Sequence, residues 1–344
     1  MTKPPSKAPK ARKTNAAAAP LPLFYRQPTL LRFQNHARLS LRRAVDFRFA
    51  ARATSLPLVA GEFAAAVRDY PIVFASDEGA MPLAVTGVAA EQNLFVEADG
   101  RWRGGSYIPG YVRRYPFIGI TAENDGATML GVDLASDRLA DDGEKEADML
   151  FDLRGAATRT SQSAMALCEA YATEHARTLA FVQALKDKRL LVPRSAQVNY
   201  ADAGRAVVQG FQLVDEAAFR ALPAAAVVEF HAKGWLDLIV LHLASQQRWR
   251  ELVDMSAKTR GEPAHCGAVL GGRVGDTIRR QCDFEIGGPP PAPRAGAPAI
   301  ETADHDRHRP HRSRPRRGRL SRQPRRLSAP ARAHRGAAGL LLRP

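Results

Sequence analysis

The stretch Tyr107–Phe117 reads Tyr-Ile-Pro-Gly-Tyr-Val-Arg-Arg-Tyr-Pro-Phe and is the densest run of aromatic residues, prolines and arginines in the chain. Pro109 is tolerated in a first helical turn, and Ser106 just before it is of a type that favours helix N-caps. Pro116 disfavours the α conformation at Tyr115. We therefore predict a short helix that begins near the first tyrosine, ends at Tyr115 and is followed by a strand.

A similar corner precedes this stretch by 45 residues. Segment 67–71 (Val-Arg-Asp-Tyr-Pro) and segment 112–116 (Val-Arg-Arg-Tyr-Pro) agree at four of five positions. In each copy the Tyr-Pro step is followed by an apolar strand, a glycine-containing turn and a second strand. We interpret this pattern as an internal helix-strand-strand repeat, with convergence of two similar corners as the alternative.

Four further segments complete the predicted fold. Ser161–Lys188 carries apolar residues at helical spacing, and Ala196–Val214 has the pattern of a β-hairpin. Ala224–Met255 predicts a helix that divides at Gly234, and Asn93–Val96 predicts an additional strand. Together the segments predict an α+β fold with a mixed, largely antiparallel sheet and packed helices.

Charge is distributed unevenly along the chain of 344 residues, whose formal net charge is +15. Residues 1–20 carry five basic and no acidic residues, and residues 258–344 carry 19 basic and seven acidic residues, which leaves −2 for residues 21–257. We therefore predict one α+β domain over residues 21–257. The net charge of this domain gives no reason to expect that it binds nucleic acid.

Both ends of the chain are predicted to be disordered. Residues 1–20 form a basic arm rich in alanine and proline, and residues 258–344 form a low-complexity tail rich in arginine, proline and alanine. We therefore restrict the hypothesis of nucleic-acid binding to the tail, whose arginines would contact phosphates. An alternative is that the tail is a frameshift product of a GC-rich gene.

Cysteine usage and hydropathy indicate the compartment. Cys168, Cys266 and Cys282 show no C-x-x-C spacing, and an odd, small number of cysteines argues against a disulfide-stapled secreted fold. The apolar run Trp235–Ala244 is interrupted by polar residues and is too short to span a bilayer, and the N-terminus lacks the apolar core of a signal peptide. We therefore predict a cytoplasmic protein without a transmembrane segment.

The sequence predicts no metal site, no cofactor and no recognisable catalytic motif. His305, His308 and His311 recur at a spacing of three, but they lie in the low-complexity tail. His242 lies in an apolar helix and is interpreted as a hydrogen-bonded core residue. The acidic segment Ser136–Asp148 is interpreted as a solvated loop. P-loop, Gly-x-Ser-x-Gly and His-Glu-x-x-His patterns are absent from the sequence.

The aromatic and basic residues of the opening stretch are the best candidates for a binding site. Tyr107 and Tyr111 lie four residues apart on one predicted helix face, Arg113 and Arg114 project away from it, and Trp102 is expected to pack nearby. Tyrosine and arginine are over-represented in recognition surfaces. The alternative is that the tyrosines anchor the helix to the sheet. We predict these five residues as the binding site.

Several spaced motifs resemble the bacterial SapC family, which is associated with surface layers. The resemblance covers residues 21–255, and the basic arm and the tail depart from it. It implies no catalytic residues, because the family has no settled biochemical activity. The motifs that carry it are, in order, Pro22-Leu23-Phe24-Tyr25, His36, Tyr70-Pro71-Ile72-Val73-Phe74, Asn93-Leu94-Phe95, Asp99-Gly100-Arg101-Trp102, Tyr107-Ile108-Pro109, Arg113-Arg114-Tyr115-Pro116-Phe117, Leu150-Phe151-Asp152 and His231-Ala232-Lys233-Gly234-Trp235.

Three hypotheses for the function follow from the sequence. The first is an accessory or binding protein in cell-surface (S-layer) or transport physiology, whose partner is a protein or a cell-envelope component. The second is an enzyme with a non-standard site built from His36, Arg113, Arg114 and the tyrosines. The third is a protein that binds nucleic acid through the basic tail.

Overall fold

The computed structural model describes most of the predicted domain. The described residues are 21–121, 128–141, 143–200, 205–261 and 283–287. The predicted basic arm and most of the predicted tail lie outside them, as do two of the cysteines and the three tail histidines.

Short strands and helices alternate in the first half of the domain, and longer elements make up the second half. The strands are β1 Pro28–Leu30, β2 Ser40–Arg42, β3 Ser55–Pro57, β4 Ile72–Ala75, β5 Pro82–Val85, β6 Phe117–Thr121, β7 Thr128–Asp133, β8 Leu139–Ala140, β9 Ala147–Met149, β10 Leu191–Asn199, β11 Arg205–Val214 and β12 Asp283–Gly287. The helices are α1 Phe33–His36, α2 Phe63–Ala66, α3 Gly110–Arg113, α4 Arg159–Asp187, α5 Glu216–Arg220, α6 Ala224–Ala232, α7 Trp235–Ser245 and α8 Arg248–Thr259, with 3-10 turns at Arg48–Ala50 and Ala60–Glu62.

The described strands form three sheets. The largest has the order β12-β10-β11-β4-β5-β3, and the two smaller sheets have the orders β1-β7-β6 and β8-β2-β9. All strand pairs among the described residues are antiparallel. The predicted α+β class is therefore confirmed.

The two Tyr-Pro corners have the same order of elements but lie in different sheets. In the first corner α2 precedes β4, which pairs with β5; in the second corner α3 precedes β6, which pairs with β7. Ile72 lies opposite Ala84 and Phe117 lies opposite Val132. The offset between the copies is therefore 45 residues for the first strand (Ile72 and Phe117) and 48 residues for the second strand (Ala84 and Val132). The predicted order of elements is present in both copies, and a common origin stays a hypothesis.

Helix α4 is the long helix predicted from the apolar spacing, and it connects two parts of the core. It starts at the N-cap Thr158, whose side chain accepts a hydrogen bond from Ser161 N. Its first half buries Cys168 near Phe117 and Leu150, and its second half joins the main core. Burial raises the pKa of the Cys168 thiol to about 11. The start of this helix is thereby fixed next to the second corner.

The C-terminal helices confirm the predicted division at Gly234. This glycine has a φ of 69° between α6 and α7, a conformation that favours glycine. A second division separates α7 from α8, which the sequence did not predict. His242 of α7 is fully buried, and its Nε2 accepts a hydrogen bond from Val214 N at 3.1 Å. Burial lowers the pKa of His242 to about 3, so this histidine is a neutral core residue, as its sequence context indicated.

The predicted strand at Asn93–Val96 is wrong. The Asn93 side chain donates from Nδ2 to Ala50 O at 3.0 Å and accepts from Phe95 N at 2.9 Å. These bonds hold the segment in a turn, because an asparagine side chain competes with the ladder bonds of a strand. Only Val96 makes a β-bridge, to Trp102.

Two segments interpreted as unstructured contain short strands. Strands β8 and β9 lie in or at the end of the predicted acidic loop and pair with β2. Strand β12 lies within the predicted tail, and it pairs with β10 from Ser195↔Gly287 to Asn199↔Asp283. The boundary of the domain at residue 257 therefore stays a prediction.

None of the helices in the described part of the chain combines the length and the apolar character that a membrane-spanning segment needs.

Candidate functional site

Helix α3 begins at a buried carboxylate. Glu62 Oε1 accepts hydrogen bonds from Gly110 N at 2.6 Å and from Tyr107 OH at 2.7 Å, and its Oε2 accepts one from Val59 N at 3.0 Å. A Cβ at position 110 would lie 3.1 Å from the same Oε1, so glycine permits this close approach. Helix α3 spans only Gly110–Arg113, so it is shorter than predicted. Its N-cap is Pro109 and not the predicted Ser106.

Trp102 lies in the core beside the first corner. The residue is 7% exposed, and its Nε1 donates to Tyr70 OH at 3.2 Å. Its ring packs on Phe47, with centroids 5.4 Å apart. The Tyr70 hydroxyl in turn donates to Tyr107 O. These contacts tie the segment before α3 to the first corner, and a role of Trp102 in binding stays a prediction.

Tyr107 and Arg113 are held together by Glu62. The Arg113 Nη2 donates to Tyr107 OH at 3.2 Å and lies 3.7 Å from Glu62 Oε1, while its Nε donates to Ile108 O at 3.0 Å. Burial raises the pKa of Tyr107 to about 12, and the Glu62 carboxylate adds to the shift. The charge of Arg113 is therefore balanced within the protein.

Arg114 lies between two tyrosine rings. Its guanidinium carbon is 4.5 Å from the ring centroid of Tyr111 and 4.3 Å from that of Tyr171. The Tyr111 hydroxyl donates to Leu23 O at 2.9 Å, which fixes the ring. Burial raises the pKa of Tyr111, and the Arg114 charge opposes that shift. The Arg114 Nε is buried and has no hydrogen-bond partner.

The second corner is fixed by the buried Asp133. Its Oδ2 accepts from Tyr115 OH at 3.0 Å, and its Oδ1 accepts from Gln27 N at 2.5 Å and from Arg26 N at 3.2 Å. A carboxylate that accepts several hydrogen bonds positions its partners firmly. The backbone next to Arg114 is thus anchored independently of any ligand.

A cavity of about 750 Å³ opens beside α3, and we call it the Arg114 cavity. Its volume lies within the range of about 300–1,000 Å³ that is usual for small-molecule sites. The start of α4, strand β9 and the second corner supply its walls. Its lining residues are Leu41, Arg113, Arg114, Tyr115, Phe117, Arg138, Ala147, Asp148, Met149, Thr158, Arg159, Thr160, Ser163, Ala164 and Leu167.

Positive charge dominates the Arg114 cavity. Four guanidinium groups and one carboxylate line it. The carboxylate of Asp148 is already paired, 2.8 Å from Arg43. Among the described residues, no carboxylate lies within 4.0 Å of Arg114, Arg138 or Arg159. The cavity therefore has a surplus of cations that the described protein groups do not neutralise.

Hydroxyl groups and a helix start add to this positive field. Thr158, Thr160 and Ser163 lie in the first turns of α4 or just before it and line the cavity. The N-terminus of a helix carries partial positive charge and favours anions. Apolar side chains, among them Leu41 and Met149, also line the cavity. The cavity thus combines cationic and apolar groups.

The structure brings some of the predicted site residues together and separates others. Arg113 and Arg114 line the cavity, and Tyr111 supports Arg114 from behind. Tyr107 and Trp102 are not among the residues that line the cavity, and they contact the first corner. The binding role of all five residues stays a prediction.

Sequence reasoning missed Arg138, Arg159 and Glu62. Arg138 Nη1 donates to Tyr115 O, its Nε is buried without a partner, and burial lowers its pKa. Its position in an acidic segment concealed it. Arg159 directly follows the N-cap Thr158, and this threonine was the local signal that could have placed Arg159 at a helix start.

His36 does not join the arginines and tyrosines. Its Nδ1 accepts a hydrogen bond from Arg32 N at 3.0 Å in α1, and it is not among the lining residues of the cavity. Within the described ranges, no group of three or more His, Cys, Asp or Glu residues lies close enough together to hold a metal ion. The residues of the enzyme hypothesis are thus not all at one place.

Comparison with known proteins supports one assignment. The family model SapC matches residues 31–252, which is more than half of the 344-residue chain. Comparisons with curated proteins and with solved structures gave no match. The chain belongs to the SapC family.

Proposed function

We propose that this SapC-family protein is a binding protein whose Arg114 cavity takes a small amphipathic anion. The observation that carries the proposal is the state of Arg114. Its guanidinium lies between two tyrosine rings at a cavity wall, and among the described residues it has no carboxylate partner. A cation in such a place is complemented by an anion from outside the protein.

The position of Arg114 supports binding of an anion for energetic reasons. A partly buried charge without a partner is costly, and an anionic ligand would offset that cost. The two rings hold the guanidinium in place through cation–π contacts, so little freedom is lost when a ligand binds. Guanidinium groups suit carboxylates and phosphates because they offer two parallel donors.

The apolar lining residues of the cavity support a ligand that also has an apolar part. Leu41, Met149, Ala164 and Leu167 are among them. Apolar area that leaves water contributes roughly 25 cal/mol per Å² to affinity before the costs of ordering are subtracted. We therefore assign the anionic group to the arginines and an alkyl or similar group to these side chains.

A role in cell-surface or transport physiology is part of the same proposal. Its support is membership of the SapC family, and the chemistry of the cavity is compatible with it. The predicted partner class was a protein or a cell-envelope component, and envelope lipids and their precursors include amphipathic anions. Binding of nucleic acid through the tail stays a prediction about residues outside the described ones.

The proposal is tested by calorimetric titration with octyl phosphate and, as its uncharged counterpart, with 1-octanol. We expect octyl phosphate to bind at least ten times more tightly, because hydrogen bonds to charged groups contribute about 1.5–3 kcal/mol. Its affinity should also fall as salt increases. Equal affinities for the two compounds, or no binding of octyl phosphate, would overturn the proposal.

A further inference from the structure

A second cavity, of about 820 Å³, lies on the other side of the second corner. We call it the Phe49 cavity, since Phe49 lies in its aromatic wall. Tyr115 and Arg138 line both this cavity and the Arg114 cavity. The two spaces therefore share a wall but differ in the rest of their lining.

One wall of the Phe49 cavity is aromatic. The rings of Phe49 and Tyr115 have centroids 4.2 Å apart with planes at 31°, and Phe24 meets Phe49 edge-on at 5.2 Å. These rings line the cavity, where they offer an apolar surface to a flat ligand.

Phe24 is held in an unusual backbone conformation. Its φ is 78°, which is rare for a bulky residue and strains the backbone. The neighbouring Leu23 O accepts from Tyr111 OH, and Tyr25 OH donates to Phe117 O at 2.5 Å. Bonds on both sides thus fix Phe24 against the cavity, and strain of this kind is concentrated at ligand sites.

Five arginines line the Phe49 cavity, and three of them have carboxylate partners. Arg42 pairs with Glu144, Arg48 with Asp46 and Arg52 with Glu91. The other two are Arg26 and Arg138, whose guanidinium groups have no carboxylate within 4.0 Å among the residues that the structure describes.

The two unpaired arginines lie beside one short segment. Arg26 Nη2 donates to Ala135 O, and Arg138 Nη1 donates to Tyr115 O while its Nε has no partner. Ala135 is only three residues from Arg138. Two guanidinium groups without an ion-pair partner among the described residues therefore line the same cavity as the aromatic wall, and Asp46 and Asp137 line it as well.

We propose that the Phe49 cavity is a separate binding site for a planar aromatic anion. The ring of the ligand packs on Phe49, which the buried Tyr115 supports, and its anionic group accepts hydrogen bonds from Arg26 and Arg138. An aromatic phosphate has the right chemistry, because arginine binds phosphate through paired donors and stacks with flat rings.

The test is a calorimetric titration with 1-naphthyl phosphate on the full chain. We expect Phe49→Leu and Arg26→Gln each to weaken its binding about tenfold or more, because the first removes the stacking surface and the second removes a charged hydrogen-bond donor. Arg26 is exposed, so Arg26→Gln leaves the fold intact and carries the test if Phe49→Leu unfolds. Arg138 is not substituted, since it lines both cavities.

Octyl phosphate and Arg114→Met separate this proposal from the proposed function. Arg114→Met should leave the affinity for 1-naphthyl phosphate unchanged, and Arg26→Gln should leave that for octyl phosphate unchanged. The proposal is overturned if 1-naphthyl phosphate does not bind, if Arg26→Gln binds it as well as the wild type, or if Arg114→Met alone weakens it. Failure of octyl phosphate to bind would refute the proposed function and not this one.

Discussion

The two Tyr-Pro corners share their order of elements and differ at one informative position. Asp69 in the first corner corresponds to Arg114 in the second. The Asp69 carboxylate accepts from Tyr107 N at 2.8 Å and lies 3.6 Å from Arg68 Nη2, so it is used within the protein. The Arg114 guanidinium packs on the rings of Tyr111 and Tyr171, and no carboxylate among the described residues lies within 4.0 Å of it. The difference at this one corresponding position thus separates a carboxylate that anchors the backbone from a cation that lines a cavity.

Both corner tyrosines are structural. Tyr70 and Tyr115 are buried, and each hydroxyl donates to a fixed acceptor, Tyr107 O in one corner and Asp133 Oδ2 in the other. The function proposed for the second corner therefore depends on Arg114 and on the cavity that surrounds it, and the Tyr-Pro step itself is architecture.

The largest expected effect is on stability, from Glu62→Ala. Glu62 joins the two corners, and its loss removes the acceptor of Gly110 N, Tyr107 OH and Val59 N. Each buried donor left without a partner costs about 1–3 kcal/mol, so we expect the free energy of unfolding to fall by roughly 3 kcal/mol or more. Urea denaturation measures it. Glu62→Gln is the matched control, and it should lose less because an acceptor oxygen remains. Equal stability of Glu62→Ala and the wild type would show that α3 is held by other contacts.

The next largest effect is a fall in the free energy of unfolding at acidic pH, which we expect from His242 beside the first corner. His242 packs on Phe74 of that corner, with ring centroids 5.0 Å apart, and burial lowers its pKa from 6.5 to about 3. Below pH 6.5 His242 binds a proton in the unfolded chain but not in the folded chain. The free energy of unfolding therefore declines as the pH falls from about 6.5 towards 3. One such proton changes the free energy of unfolding by about 1.4 kcal/mol per pH unit, or roughly 2 kcal/mol between pH 6.5 and 5.

Urea denaturation at pH 7, 6 and 5 measures this slope. His242→Gln is the control, since its amide oxygen can accept from Val214 N but does not titrate. For this variant the free energy of unfolding should change less steeply with pH, by an amount that corresponds to about one proton. Identical slopes for the two proteins would mean that His242 has the same pKa in the folded and in the unfolded chain.

Asp69→Ala should have a smaller effect, confined to stability. It removes the acceptor of Tyr107 N, which we expect to lower the free energy of unfolding by about 1–2 kcal/mol. The affinity for octyl phosphate should not change, because Asp69 is not among the lining residues of the Arg114 cavity. A loss of affinity without a loss of stability would contradict the division between the corners.

Arg114→Met should have the smallest effect on stability. Methionine keeps apolar contact with Tyr111 and Tyr171 and removes a buried donor, Nε, that has no partner. We expect the free energy of unfolding to stay the same or to rise by up to about 1 kcal/mol. Thermal and urea unfolding measure it, and a fall of about 2 kcal/mol would show that Arg114 is a structural residue.

Local sequence patterns correctly predicted the elements that depend on residues close together in the chain. The spacing of apolar residues identified α4, and Gly234 identified the break between α6 and α7. Arg113 and Arg114 were predicted as site residues, and both line the cavity.

The sequence could not reveal contacts between residues far apart in the chain. Glu62 lies 48 residues from Gly110, and nothing near it indicated that its carboxylate caps a helix. Arg138 stood among acidic residues that favoured a solvated loop, yet it reaches Tyr115 O. The strand predicted at Asn93–Val96 is wrong because the Asn93 side chain accepts from Phe95 N and donates to Ala50 O, which holds the segment in a turn.

The most direct test of the difference between the corners is the affinity for octyl phosphate of the wild type, Arg114→Met and Asp69→Ala, measured by calorimetry under one salt condition. We predict that Arg114→Met weakens binding about 10- to 100-fold, the loss of one charged hydrogen-bonding group, and that Asp69→Ala binds like the wild type. Unchanged affinity in Arg114→Met, or an equal loss in both variants, would contradict the assignment of Arg114 as the open cation of the second corner.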